Sequence, residues 1–583
     1  MENREALTAS ARGDRPFDLA LTGVQLVNVL TGEIYAADIG VTGERVALVA
    51  PAGEFELDAV EKLDGRGLWA APGFIDGHVH NESSMVTPAR WAEAILPRGT
   101  TTVCTDPHEI GNVLGMRGVQ YMLEASRGLP LRYFVTVPSC VPAVPHLESA
   151  GATFTAVEVA EMLHWERVIA VAEAMDFVGL AHGKGNIAAI AEAGQQAGVP
   201  VEGHAPMVSG RFLQAYLAAA GPRGSDHESL SAENMVEKAR AGALIYARVN
   251  PVLDLTQEFV RALSQVPDTR MFGLCTDDNS PAHILHMGHM DYGMRSLIAA
   301  GVDPVKVYQM ATINVAAHYG LWGLGAIAPG WLADIVLLDD LQQVRVRHVI
   351  TGGKWRVKEG ALLDPIAEPV APLLENSVRL PAGLDVEAFT PRVQGGASCR
   401  VNAINLANLI DTRLEALELP CENGQVRFPL PEGVALAAVV GRHGQGNPPS
   451  LAFVTGYPLQ AGAVASTVSH DSHNLGIIGR TPADLCAAAE TLARSGGGLA
   501  AVHEGQVLAE IPLPIAGLMS PLPLVEMAAR LNAFELRLPE LGLWPVFPWH
   551  LLAMALPVIP SVRLTDLGMV DTLTQQFVPM QAG

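Results

Sequence analysis

Cysteine is scarce in this 583-residue chain, which has only six (Cys104, Cys140, Cys275, Cys399, Cys421 and Cys486), far apart in sequence. That spacing matches neither a dense disulfide framework nor the paired thiols of a zinc ribbon, so reduced thiols and a cytoplasmic setting are expected. Cationic runs are missing as well. Acidic residues outnumber basic ones 61 to 38, a net charge of −23, and this excludes nucleic acid or an anionic membrane surface as a partner. No apolar run is long enough to span a bilayer, and residues 1–17 lack the apolar centre of a signal peptide. Charged residues are only 17% of the chain and hydrophobic residues 49%. That is the composition of compact domains, and the length predicts about three or four of them.

From about Asp18 to Leu68, short β-rich pieces such as Val24–Val29 and Arg45–Val49 alternate with glycine turns, so residues 1–70 are read as half of a small β module. The pattern then changes. Eight strand candidates follow: Gly73–His80, Thr100–Asp106, Arg132–Pro138, Val168–Met175, Val199–His204, Gly224–His227, Ala243–Ala247 and Met271–Asp277. Helical stretches, among them Thr87–Leu96, Asn112–Ser126 and Gly185–Ala197, fill the gaps. Eight alternations over about 255 residues predict an α/β architecture, a (β/α)8 barrel spanning residues 71–328. Residues 329–364 return to β-rich pieces (Ala333–Asp339, Val344–Thr351) and are read as the other half of the module, which the barrel interrupts. A proline-rich linker, 365–375, leads to a C-terminal α/β domain, 376–583, with helical patches at Thr481–Ser495 and Pro523–Phe534.

Barrels of this kind build their sites at the C-terminal strand ends. His78 and His80 close strand 1, two residues apart and so on one face. Strand 2 closes with Asp106 and is followed by His108-Glu109; strand 4 carries Glu173; strands 5 and 6 end at His204 and His227-Glu228; strand 8 ends at Asp277-Asp278. Any one of these histidines is more often a hydrogen-bonded structural residue than a ligand. Together, at matching strand ends, they predict a metal site. Nitrogen and oxygen donors without thiolate suit Zn, Mn or Fe, and four imidazoles exceed the three protein ligands of an ordinary mononuclear catalytic site, which predicts two ions. In the C-terminal domain, His470, Asp471 and His473 crowd into one segment between apolar runs, either a self-satisfied polar turn or a contribution to the site.

His-x-His on strand 1, single histidines ending strands 5 and 6 and Asp ending strand 8 resemble the amidohydrolase superfamily, whose barrels are flanked by a two-ended β module. Many binuclear members bridge their ions with a carboxylated lysine on strand 4. Strand 4 here has no lysine, which leaves Glu173 as the bridging carboxylate, with Lys184 in the following loop as the substitute. More narrowly, Gly77–Pro88, Pro97–Val103, Asp106–Ile110, Ser139–Glu148, Gly203–Pro206, Asp226–Ser229, Cys275–Asp278, Ser469–Asn474 and Ile511–Ser520 resemble the bacterial adenine deaminase family over nearly the whole chain.

The resemblance implies hydrolysis of adenine to hypoxanthine and ammonia by a hydroxide activated between two divalent ions (Mn, Fe or Zn). It implies His78, His80, Glu173, His204, His227 and Asp277 as ligands, and Asp277 as general base and then acid. Glu109 or Glu228 would protonate the ring, and His108, Asp278, Glu82, His470 and His473 would contact the substrate, with the 470–473 loop at the barrel mouth or forming a third metal site. A homo-oligomer, a dimer, is the expected assembly, and a small-molecule purine the expected partner.

Two loops depart from the family pattern: Asn279-Ser280 stands where an Arg is usual, and Ala247-Arg248-Val249-Asn250 where Arg-Glu-Gly-Ser is usual. They motivate an alternative, a related amidohydrolase acting on another aminopurine or a cyclic amide or amidine. A catalytically silent metal-bound scaffold is the alternative from another class, and the complete ligand set argues against it. A cytidine-deaminase-type zinc site is excluded, because its Pro-Cys-x-x-Cys pattern is absent.

Overall fold

The barrel strands form where short apolar runs can be buried on both faces. In a computed structural model describing residues 4–249, 254–407, 412–546, 551 and 553–582, they are β1 (Phe74–Val79), β2 (Thr100–Thr105), β3 (Arg132–Val137), β4 (Val168–Ala174), β5 (Val201–Gly203), β6 (Ser225–Asp226), β7 (Leu244–Arg248) and β8 (Phe272–Cys275). Each lies within about two residues of its sequence-based expectation. Strands β1 to β5 pair in parallel in one sheet and β6 to β8 in another.

Side chains and single bonds complete the ring. Asp277 N donates to His78 O at 3.0 Å across a parallel bridge between Val79 and Asp277. Asp76, buried in β1, accepts from Thr276 N at 3.0 Å and from its hydroxyl at 2.5 Å, which pins β1 to β8. On the other seam Gly203 N donates to Ser225 Oγ at 3.3 Å. A Cβ on Gly203 would sit 2.2 Å from the Ser225 carbonyl oxygen, so only glycine permits this approach. The expected helix Asn112–Ser126 is two, His108–Leu114 and Met116–Ala125, divided at Gly115, whose φ of +64° is left-handed.

The early and late β-rich pieces share one nine-stranded sheet. Trp69–Pro72 runs antiparallel to Ile335–Asp340, with Val336 opposite Ala71. The chain thus leaves this sheet just before β1 and re-enters it after the last barrel helices. A second nine-stranded sheet, from 398–405 to 506–512, carries helix Pro482–Ser495. It meets the barrel at the site end: Ser520 N donates to Met85 O at 2.9 Å, and Leu513, Ile515 and Met519 share a hydrophobic core with Met85 and Val86.

One expectation is corrected. Cys399 and Cys421 form a disulfide, with their Cα atoms 6.1 Å apart on the paired strands Ser398–Asn405 and Arg413–Glu422. A separation of 22 residues does not reveal that strand pairing. Cys104, Cys140, Cys275 and Cys486 are free and buried. Among the described residues no helix is long and apolar enough to cross a membrane.

The loops after β5 and β6 are held by a buried ion pair. Lys238 Nζ reaches Asp226 Oδ2 at 2.8 Å and donates to Ala205 O at 2.7 Å, while Asp226 Oδ1 accepts from Ala205 N at 3.0 Å. Lys238→Met leaves a buried, unpaired carboxylate and is expected to destabilise the fold by about 3–5 kcal/mol, read as an earlier urea transition. Adding Asp226→Leu should recover part of the loss. A Lys238→Met protein as resistant to urea as the parent would remove this pair from the account.

Candidate metal centre and active site

At the C-terminal ends of the strands, four imidazoles surround one carboxylate. Glu173 Oε1 lies 3.1 Å from both His78 Nε2 and His80 Nε2. Its other oxygen, Oε2, lies 2.9 Å from His204 Nδ1 and 3.4 Å from His227 Nε2. One carboxylate therefore divides the histidines into two pairs. Asp277 completes the first pair, with Oδ1 3.1 Å from His80 Nε2 and 3.7 Å from His78 Nε2. Its φ of +55° is left-handed, a conformation Asp tolerates better than most residues and one that clusters at functional sites. All six side chains are buried.

The donor set fits metal ions. His80 Nδ1 faces the Asp106 carbonyl at 3.0 Å, so that nitrogen carries a proton and Nε2 is the one aimed into the cluster. His78 Nε2 faces that Nε2 at 3.2 Å. Glu173 Oε1 and His204 Nε2 are buried without a hydrogen-bond partner. Such orphaned polar atoms are costly unless a cation serves them. Burial opposes ionisation of Glu173, yet His78 and His227 outweigh it and hold the carboxyl well below its ordinary range. Burial likewise opposes a charged His227, and Glu173 outweighs it, raising the ring to about 9. Asp277 is held well below its ordinary value by Arg248 and His80 in spite of burial.

An outer ring of polar groups borders this cluster. Glu109 and Asp278 share the Ser83 hydroxyl, which lies 3.1 Å from Glu109 Oε1. The C-terminal loop closes on them: His470 Nε2 lies 3.6 Å from Glu109 Oε1 and 3.9 Å from Asp278 Oδ1, and His473 Nε2 lies 3.9 Å from Glu109 Oε2. Buried Arg442 carries that loop, donating to His473 O, to Ser377 Oγ at 2.9 Å and to Ala516 O at 3.0 Å. Glu82 accepts from Ile110 N at 3.3 Å behind Glu109. His108 lies between the groups, its Nδ1 3.8 Å from Glu173 Oε1.

Glu228 is 3.8 Å from His227 Nε2 and ion-paired with Arg248, whose guanidinium also grips Asp277 Oδ2. In the sequence Arg248 stands out only as part of a departing loop. Its place at the end of β7 is the same signal that selected the histidines. Lys184 is exposed ahead of helix Gly185–Ala197, away from the cluster, and drops out as the bridging group. Asn250 lies outside the described residues.

A family model for the amidohydrolase family matches residues 69–356, and one for the adenine deaminase C-terminal domain matches residues 410–576. An adenine deaminase of Moorella thermoacetica is 41% identical over 99% of this chain and 98% of its own length. The chain belongs to the adenine deaminase family. Another relative so named, from Klebsiella pneumoniae, is 39% identical over 99% of this chain and 95% of its own. Among solved structures, a β-aspartyl dipeptidase of Fervidobacterium islandicum AW-1 is similar over 60% of this chain and 99% of its own, at 18% identity and a TM-score of 0.46. Amidohydrolases use divalent metal ions, and the buried cluster of this adenine deaminase family member offers them a site.

Burial and the neighbouring Glu109 push Glu82 from its ordinary 4.5 up to about 8. A carboxyl harder to ionise folded than unfolded contributes nothing below about 4.5, costs stability increasingly as pH rises, and costs the full amount above about 8. Glu82→Gln, in chelator-treated protein, should therefore leave the melting temperature unchanged at acid pH and raise it progressively between about pH 5 and 8. A difference independent of pH would contradict the raised carboxyl.

Proposed function

We propose that the chain hydrolyses adenine to hypoxanthine and ammonia with two divalent ions held on either side of Glu173. The observation that carries this reading is the division of four imidazoles between the two Glu173 oxygens, in a chain whose relatives are named adenine deaminases. His78, His80 and Asp277 would hold one ion and His204 and His227 the other. Mn, Fe and Zn all accept such ligands. The ions, when bound, supply the acidity that makes a water nucleophilic near neutral pH.

The protein's own groups move the protons. Asp277 Oδ1 faces the imidazole cluster while Oδ2 is tied to Arg248. It takes a proton from water as oxygen bonds to the ring carbon bearing the amine, and delivers it to nitrogen as that C–N bond breaks and ammonia leaves. A second proton goes from an acid to a ring nitrogen, and the proton left on the attacking oxygen returns to that acid as the carbonyl forms, so adenine and water become hypoxanthine and ammonia. Of the two candidates, Glu109 suits this donation better: burial raises its carboxyl, which favours the protonated form, and His470 stands against it. Glu228 is engaged by Arg248. The alternative ring chemistry rests on Asn279, whose Oδ1 is buried and unpartnered just past β8, where it can accept from a ring N–H.

Metal-replete protein, screened for ammonia release, should act on adenine well above other aminopurines and cyclic amides; silence on adenine with release from another ring would favour the Asn279 reading. Asp277→Asn should lower turnover by roughly two to four orders of magnitude without unfolding the protein. Near-normal turnover removes Asp277 from proton transfer. Glu109→Gln should cost more turnover than Glu228→Gln, and the reverse order would exchange their roles.

A further inference from the structure

Beyond the Glu173 cluster, on the side facing the C-terminal domain, lies a second group of donors. His108 opens helix His108–Leu114 after β2, Cys140 follows β3, and Asp471 belongs to the C-terminal loop. Their donor atoms lie within 4.8 Å of one another, and the residues are only 1%, 1% and 0% exposed. His108 serves two directions. Its Nδ1 is 2.8 Å from Asp106 Oδ2, so that nitrogen carries a proton and Nε2 is the nitrogen aimed at the other two residues.

Asp471 Oδ1 approaches Nε2 to 3.3 Å without the geometry of a hydrogen bond. His108 Nε2 and both carboxylate oxygens of Asp471 are buried with no hydrogen-bond partner. Three buried donor atoms without partners are costly in a dry interior, and a cation among them, taken up as Nε2 gives up any proton it holds, would serve all three. The Asp106–His108 contact is the carboxylate–histidine arrangement that orients metal-bound imidazoles.

We propose that His108 Nε2, Cys140 Sγ and the Asp471 carboxylate form a further metal site that clamps the C-terminal loop onto the barrel. One nitrogen, one sulfur and one oxygen donor suit Zn(II) or Fe(II), with a position left open for water. The site differs in kind from the Glu173 cluster, whose proposed ligands include no sulfur. It also accounts for how His470 and His473, on either side of Asp471, are held against Glu109.

Cobalt(II) reconstitution of the full chain separates the two sites, because only a thiolate ligand produces a near-ultraviolet sulfur-to-cobalt charge-transfer band. The expected result is that band together with one equivalent of cobalt beyond those bound by the Glu173 cluster. Cys140→Ser should abolish the band and that equivalent alone, and Asp471→Asn should weaken cobalt binding in the band titration by at least about ten-fold. Wild-type protein loaded with cobalt but lacking the band overturns the site and leaves His108 as an imidazolium between two carboxylates. A band that survives in Cys140→Ser overturns it equally. Neither readout depends on turnover, so the result stands apart from the fate of the adenine reading.

Discussion

A carboxylate with two oxygens can face two groups of donors at once, and the rest of the site is arranged around that property of Glu173. His78 and His80 approach one oxygen, His204 and His227 the other. These five residues come from four strands or strand ends, so the arrangement exists only if the barrel closes with each strand at the right height. A slip of one residue would turn alternate side chains to the opposite face.

The polar groups beneath the cluster hold that register. Asp76 ties β1 to β8 through Thr276, the bridge between Val79 and Asp277 closes the ring, and the Lys238–Asp226 pair joins the loops after β5 and β6. Each is buried, so loss of either partner leaves an unsatisfied group in a medium where that is expensive. Above the cluster, Arg248 and the 470–473 loop do the corresponding work from β7 and from the C-terminal domain. Arg248 fixes the outer oxygen of Asp277, leaving its inner oxygen toward the histidines.

The eight barrel strands were legible because apolar β-rich runs alternate with helical stretches at nearly regular spacing, and strand ends then select the histidines without any knowledge of tertiary contacts. What stayed hidden depends on contacts between distant segments. The sequence offers the 470–473 loop as a neighbour of the barrel, but its approach to Glu109 and His108 depends on Arg442 holding the loop within its domain and on Ser520 tying that domain to Met85. The Cys399–Cys421 disulfide depends on strand register. The break at Gly115 was lost in a continuous helical pattern, since a glycine within a helix and a glycine that ends one read alike in one dimension.

The proposed sharing of Glu173 between two ions is read directly by anomalous diffraction from crystals of manganese-loaded protein. It predicts two anomalous peaks flanking the Glu173 carboxylate, one against His78, His80 and Asp277 and the other against His204 and His227. A single peak beside Glu173, or a Glu173 side chain turned away from the histidines, would contradict it.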